Sequence, residues 1–375
     1  MSEAPEILAK RLRNQAGACR MLGSPLYGFL LERAAGDVEG GGVVLEAMNE
    51  VAFEPPGAAV ALRLMGAVHR LVLEGRAQSL AAFYPSAGGH GPVEEAWPAF
   101  QETVASNLEE IQHRMHEPVQ TNEVGRCAGL VGGFLEVARR TGLSLRLVEV
   151  GCSGGLNLRW DRYLYRAGDV SWGEPGAPVV LETFERPPEL SGDVEIAERI
   201  GCDPYPVDAA SPEGRLTLSS FVWPDQHERW TRLRGALEVA SWVPVDIVHA
   251  GAAGFLREVL ARPVDGVATV VFHSIVFQYL DADERSEAVA LIAAAGARAS
   301  ADAPLAHLSM EPPLRHLKTW FGPVAEEWDA IFPEPSVPPG QEDLGVVHLR
   351  MWPDEPSPRL VGRAGYHGSP VWWQY

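Results

Sequence analysis

Apolar residues in the first third of the chain recur at helical spacing. The stretches 7–21, 25–35, 58–73, 93–115 and 122–140 each place aliphatic or aromatic side chains three and four positions apart, which predicts five helical segments. Ser24 before Pro25 reads as an N-cap followed by a proline at the first helical position, and Pro55-Pro56-Gly57, 84–92 and Glu117-Pro118 punctuate the rest. From residue 141 the pattern changes. Short apolar runs at 145–150, 194–200, 246–249, 268–272 and 305–310 alternate with helical patterns, as in a parallel sheet with crossover helices. Two more runs, 346–352 and 371–373, have no helix between them and are expected as an antiparallel pair at the sheet edge. The expected architecture is therefore α/β, with an all-helical region over 1–140 and a Rossmann-type, mostly parallel sheet domain over 141–375.

The run 145–150 breaks into Glu149-Val-Gly151-Cys-Ser153-Gly-Gly155-Leu-Asn157-Leu158, which predicts a strand, a glycine-rich turn and a helix. Glycines at 151, 154 and 155 permit a sharp turn and a close approach of backbone N–H groups to a ligand. Three chemistries compete for this turn. An acid at 149 followed by alternate small residues resembles the first motif of class I methyltransferases, in which Glu149 offers the counter-charge for the ammonium of S-adenosylmethionine; Ser153 replaces the usual middle glycine. Gly151-x-Ser153-x-Gly155 also matches the nucleophile elbow of α/β-hydrolases, yet such an elbow normally follows several strands and here follows only helices. A dinucleotide site needs glycine at 153. The methyltransferase reading is the one carried forward, with Glu149, Gly151, Ser153, Gly155 and Asn157 as cofactor residues.

An acid after the next strand is expected to hold the ribose, and Asp203 and Asp208 compete for that place. His249 and Ala250 end the third strand, where small residues leave room for adenine. On the acceptor side, His273 is expected at the carboxyl end of the fourth strand, facing the crevice as general base, with Glu311 after the fifth as the other strand-end acid. Asn122, Glu123 and Arg126 open the helix before the glycine strand, Asp225 lies in a Trp-Pro-Asp-Gln group, and His367 lies near the C-terminus; all are candidates for the substrate side. The Gly- and Pro-rich insertion at about 165–190, with Trp172, is expected as a lid over the carboxyl edge.

Composition narrows these readings. The 375 residues are 46% hydrophobic, enough for a sizeable core, and no 18-residue apolar run or signal peptide is apparent, so a cytoplasmic, soluble protein is expected. A formal charge of −19 disfavours nucleic acid and polyanionic substrates and leaves a small molecule as the expected partner. Cys19, Cys127, Cys152 and Cys202 are widely spaced, which predicts neither a metal site nor a disulfide framework.

Long motifs spread along the chain resemble one bacterial family. Thr121-Asn-Glu-Val-Gly-Arg126, the glycine turn, Trp160-Asp-Arg-Tyr163, Gly201-Cys-Asp-Pro-Tyr-Pro-Val-Asp208, Phe221-Val-Trp-Pro-Asp-Gln226, Val271-Phe-His-Ser274 and Tyr366-His-Gly368 are together similar to the domain-of-unknown-function family 2332 over almost the full length. The resemblance implies a methyltransferase-like fold; it brings no reaction and no catalytic residues. The expected function is S-adenosylmethionine-dependent O- or N-methylation of a small molecule. A non-catalytic S-adenosylmethionine sensor or scaffold, and a serine hydrolase using Ser153, are the alternatives.

Overall fold

The computed structural model describes residues 3–321, 327–334 and 336–374. The chain folds into two compact units, the first comprising 1–121 with 211–231 and the second 122–210 with 232–375. Among the described residues every regular element before Ser144 is helical. No described helix is long and apolar enough to cross a membrane.

The first unit is built from helices such as Ala4–Met21, Pro25–Glu39, Val60–Leu73 and Ala96–Ser106, whose buried faces include Leu8, Leu12, Leu30, Leu64, Val68 and Phe100. Ser24 caps the helix Pro25–Glu39 by accepting from the Tyr27 N–H. Its hydroxyl donates in turn to Asp225 at 2.6 Å, and the same carboxylate accepts the Leu26 N–H at 3.1 Å. Asp225, expected on the substrate side, is thus held at a helix start inside the first unit.

The helix Arg126–Thr141 belongs to the second unit, so the division falls after residue 121 and not at the expected residue 140. Its periodicity identifies an apolar stripe without saying which body the stripe will cover. Phe134 answers that: it stacks on Trp160 at 4.4 Å and meets Phe272 edge-on at 5.0 Å.

The second unit is organised by a nine-stranded sheet made of β1 (Ser144–Val150), β2 (Phe184–Arg186), β3 (Ile196–Asp203), β4 (Asp246–His249), β5 (Val267–Ser274), β6 (Leu305–Glu311), β7 (Gly345–Trp352), β8 (Glu355–Ala364) and β9 (Val371–Trp373). Their spatial order is β2-β9-β8-β7-β6-β5-β1-β3-β4. The run from β6 to β4 is parallel throughout. Strand β1 is buried on both faces, Leu145, Leu147, Val148 and Val150 being closed to solvent, which suits a central parallel strand. From β1 the chain moves outward through β3 and β4 and then returns to β5 on the other flank, so the topological switch point lies between β1 and β5.

The antiparallel edge differs from expectation by one strand. β7 pairs with β6 and β8, and β8 with β9, so the runs 346–352 and 371–373 are separated by a strand absent from the sequence reading. Pro356 and Pro358 hide it, because proline inside a run argues against a strand. The insertion forms a small sheet from Leu164–Ala167, Val170–Trp172 and Val180–Leu181. Trp172 stacks on Trp160 at 5.2 Å and donates its indole N–H to the Gly192 carbonyl, so it extends the Phe134–Trp160 aromatic column where a lid residue was expected.

Candidate ligand crevice at the carboxyl edge of the sheet

At the end of β1 the backbone turns through Gly151 (φ +68°), Ser153 (φ +50°) and Gly155 (φ +65°). The middle position therefore demands the left-handed conformation that serine adopts at a cost of about 1–2 kcal/mol relative to right-handed backbone. Two polar side chains hold the turn in place. Asp203, at the end of β3, accepts the Ser153 N–H at 2.9 Å on one carboxylate oxygen and the Tyr205 N–H at 2.8 Å on the other. Asn122 accepts the Leu156 N–H at 2.9 Å. The expected full helix after the turn is reduced to a kinked 3-10 segment, Asn157–Arg162, too short to contribute a helix dipole.

The glycines serve protein packing. A Cβ on Gly151 would stand 2.7 Å from both methyl carbons of Val276, and one on Gly155 would stand 2.9 Å from Cγ2 of Val245. The space beside Gly151, expected to admit the cofactor, is filled by the loop that follows β5.

Glu149 is 2% exposed. Burial pushes its carboxyl well above the usual range and Asp203 adds to this, while a hydrogen bond with Asn157 and the charges of Arg159 and Arg126 oppose it. The Asn157 side-chain oxygen also accepts from the Cys127 thiol at 3.2 Å. The Glu149 Oε2 atom is buried without a hydrogen-bond partner. An acceptor left in this state costs about 1–3 kcal/mol, and a ligand carrying a donor or a positive charge would recover it.

The pair expected as acid and base occupies the other face of the sheet. Glu149 lies beside Phe272 in the β1–β5 register, so the next residue, His273, points away from Glu149. His273 is fully buried and stacked on Phe277 at 3.7 Å. One ring nitrogen is 2.7 Å from Glu311 Oε1 and the other 2.9 Å from His307 Nε2. The same Glu311 oxygen accepts the Val276 and Phe277 N–H groups at 3.0 and 3.2 Å. His273 and Glu311 therefore anchor the loop after β5 from the face of the sheet opposite Glu149. Burial also pushes His307 well below the ordinary histidine range.

The remaining candidates divide. Arg126 donates from Nε to the Tyr366 carbonyl and from Nη1 to the Ser274 carbonyl, each at 3.0 Å, so it joins the helix start to the carboxyl end of β5. Glu123 accepts the Gly125 N–H at 3.1 Å, and a Cβ on Gly125 would stand 2.2 Å from the His367 carbonyl oxygen. Asn122, Glu123, Arg126 and His367 thus meet near the carboxyl end of β5. His249 is exposed at the end of β4, in register with Asp203, and Ala250 donates to the Asp203 carbonyl. Asp208 is exposed and accepts the Ala210 N–H at 2.9 Å, a local turn, whereas Asp203 is the acid bound to the glycine turn. The residue pattern does not announce the conformation of 275–279, where Gln278 and Tyr279 read only as a continuation of the β5 run. Ile275 has φ +55°, which is strained for a β-branched residue, and Gln278 Oε1 is buried without a partner. Among the described residues no group of three or more His, Cys, Asp or Glu side chains is placed to hold a metal ion.

No curated protein matches the chain. A family model described as an uncharacterized protein conserved in bacteria matches residues 9–373. The match spans both units and every motif named above, and the chain belongs to that family, domain-of-unknown-function family 2332.

Proposed function

We propose that the carboxyl edge between β1 and β5 binds S-adenosylmethionine and that the protein is a methyltransferase acting on a small molecule. The observation that carries the reading is Glu149: a buried carboxyl with one unpartnered oxygen, two residues before a positive-φ turn, at the switch point of a parallel sheet. A cationic ligand matches such a group because it supplies the missing donor and favours the charged carboxylate. When bound, the cofactor supplies an electrophilic methyl group. Asp203 and Asn122 fix the turn through backbone N–H groups, and Arg126 fixes the neighbouring strand end. With His273 sealed on the opposite face, these residues contribute by orientation, and no side-chain base is assigned. Glu149, Ser153 and Asn157 are all buried, so ligand entry requires the Val276 loop to move from Gly151.

The sealed His273 gives weight to one alternative, a cofactor sensor without turnover. The hydrolase is weaker: a nucleophile elbow normally follows several strands, and β1, which leads into this turn, is the first strand among the described residues. Calorimetry with S-adenosylmethionine, S-adenosylhomocysteine and NAD is the direct test. Saturable heat with the first two, reduced at least tenfold in affinity by Glu149→Gln, is expected. Silence with both alongside a response to NAD would overturn the proposal.

A further inference from the structure

At the opposite, amino edge of the sheet, we infer a binding site for a small tetrahedral oxyanion such as phosphate. Arg146, Arg262 and Arg298 line one cavity there together with Thr269, and no carboxylate is among the described lining residues. In a chain of net charge −19, three arginines lining one cavity run against the composition. Register explains part of the convergence. Arg146 on β1 lies directly beside Thr269 on β5, and Thr269 beside Leu305 on β6, so all three residues project from one face of the sheet.

Buried Arg146 and exposed Arg298 are both held by backbone carbonyls. Arg146 donates to the Val259 carbonyl at 3.2 Å and pairs on its flank with Glu198. Arg298 donates to the carbonyls of Leu260 and Ala294 at 2.7 and 2.9 Å. Carbonyl bonds fix a guanidinium without cancelling its full charge, so two of the three cations are preorganised and only one of them has a carboxylate. Arg262 is exposed and takes part in no hydrogen bond or ion pair with a described residue. The Thr269 hydroxyl likewise makes no hydrogen bond with a described residue, although the residue as a whole is buried and lines the cavity. A guanidinium with nothing to hold and a hydroxyl with nothing to bond, beside two fixed cations, form a donor set for an oxyanion. The cavity is about 20 Å³, room for one or two oxygen atoms, so the ligand seats its oxygens there and keeps the rest of its body in the open mouth near Val264.

The test uses the full chain. Inorganic phosphate is titrated against chloride at constant ionic strength, with stability followed by thermal unfolding and affinity by calorimetry. The expected result is saturable stabilisation by phosphate. Arg262→Gln should weaken it about tenfold, the scale of one charge-assisted hydrogen bond, and Thr269→Val should weaken it several-fold. Arg257→Gln, which removes an exposed arginine paired with Glu287, is the charge-matched control and should leave the affinity unchanged. Arg262 is exposed and makes no hydrogen bond or ion pair with a described residue, so its replacement tests binding with little effect on folding. Equal loss in Arg262→Gln and Arg257→Gln, an equal response to chloride, or no response at all overturns the site. An acetate response matching that of phosphate overturns the tetrahedral assignment.

Discussion

Replacing Glu149 by Gln should make the unliganded protein more stable as pH rises, relative to the parent. Burial holds the native carboxyl well above its ordinary value, so between the unfolded pKa, near 4.5, and the raised native pKa the folded state keeps a proton that the unfolded chain has lost. Native protein then binds more protons than unfolded protein, and stability contributed by this group falls with rising pH. One proton corresponds to a slope of about 1.4 kcal/mol per pH unit, sustained as long as the native carboxyl stays protonated. Glutamine has no proton to lose, so the variant lacks this slope, and all other titrating groups cancel in the difference. Urea unfolding at pH 5.5, 6.5 and 7.5, followed by tryptophan fluorescence, measures it. The stability difference should grow steadily in favour of the variant, while affinity for S-adenosylmethionine falls. In the parent, that affinity should rise with pH up to the native pKa. Parallel stability curves for the two proteins would refute the reasoning, since they would show a carboxyl already ionised across the range.

Other perturbations have equally definite outcomes. Ser153→Gly removes a left-handed serine, a gain of about 1–2 kcal/mol, against roughly 0.5–1 kcal/mol of extra chain entropy, so a net stabilisation of about 0.5–1 kcal/mol is expected in urea titrations. His273→Ala strands Glu311 and His307 and empties the space against Phe277; it should cost about 2–4 kcal/mol of stability yet leave calorimetric affinity for S-adenosylmethionine within a few-fold. Asp203→Ala deprives two backbone N–H groups of their acceptor, with an expected loss of about 2–4 kcal/mol and of ligand binding. Burial lowers His69 to about 3 and His348 to about 4, so below pH 6.5 the unfolded chain takes protons that the native state refuses. Stability should therefore decline as pH falls from 6.5 towards 4, and His348→Gln should lessen the decline in the same urea assay.

The sequence made the strands of the parallel run legible because each is a short apolar run between polar or Gly-containing stretches. It could not say where Arg126–Thr141 would pack, since an amphipathic stripe carries no address. Proline at 356 and 358 concealed a strand whose distal half is buried. His273 shows a different limit: its place at a strand end was readable, but which face it takes depends on register with Glu149, and a shift of one residue reverses the answer. The competition between Asp203 and Asp208 stayed open because the insertion obscures the usual spacing; the structure shows Asp203 bound to the glycine turn through the Ser153 N–H and Asp208 in a local turn. Gly151 was identified as necessary, although the atom that makes it so belongs to Val276, 125 positions further along a chain whose fold had to exist before the contact could be seen.

Neither compact unit is a continuous stretch of polypeptide. Residues 211–231 leave the sheet after β3 to complete the helical unit, and the chain then comes back to form β4. A ribosome that has released 121 residues has therefore made most of the helical unit but not its last piece, and by the time that piece emerges β1 and β3 are already exposed without β5 between β1 and β6. Completion of both units waits on distant segments, which favours slow assembly through partly ordered states. Cutting the gene at residue 121 should accordingly yield two insoluble halves, whereas a helical unit expressed as 1–121 joined by a short linker to 211–231 restores what the native thread supplies and is the version expected to fold by itself.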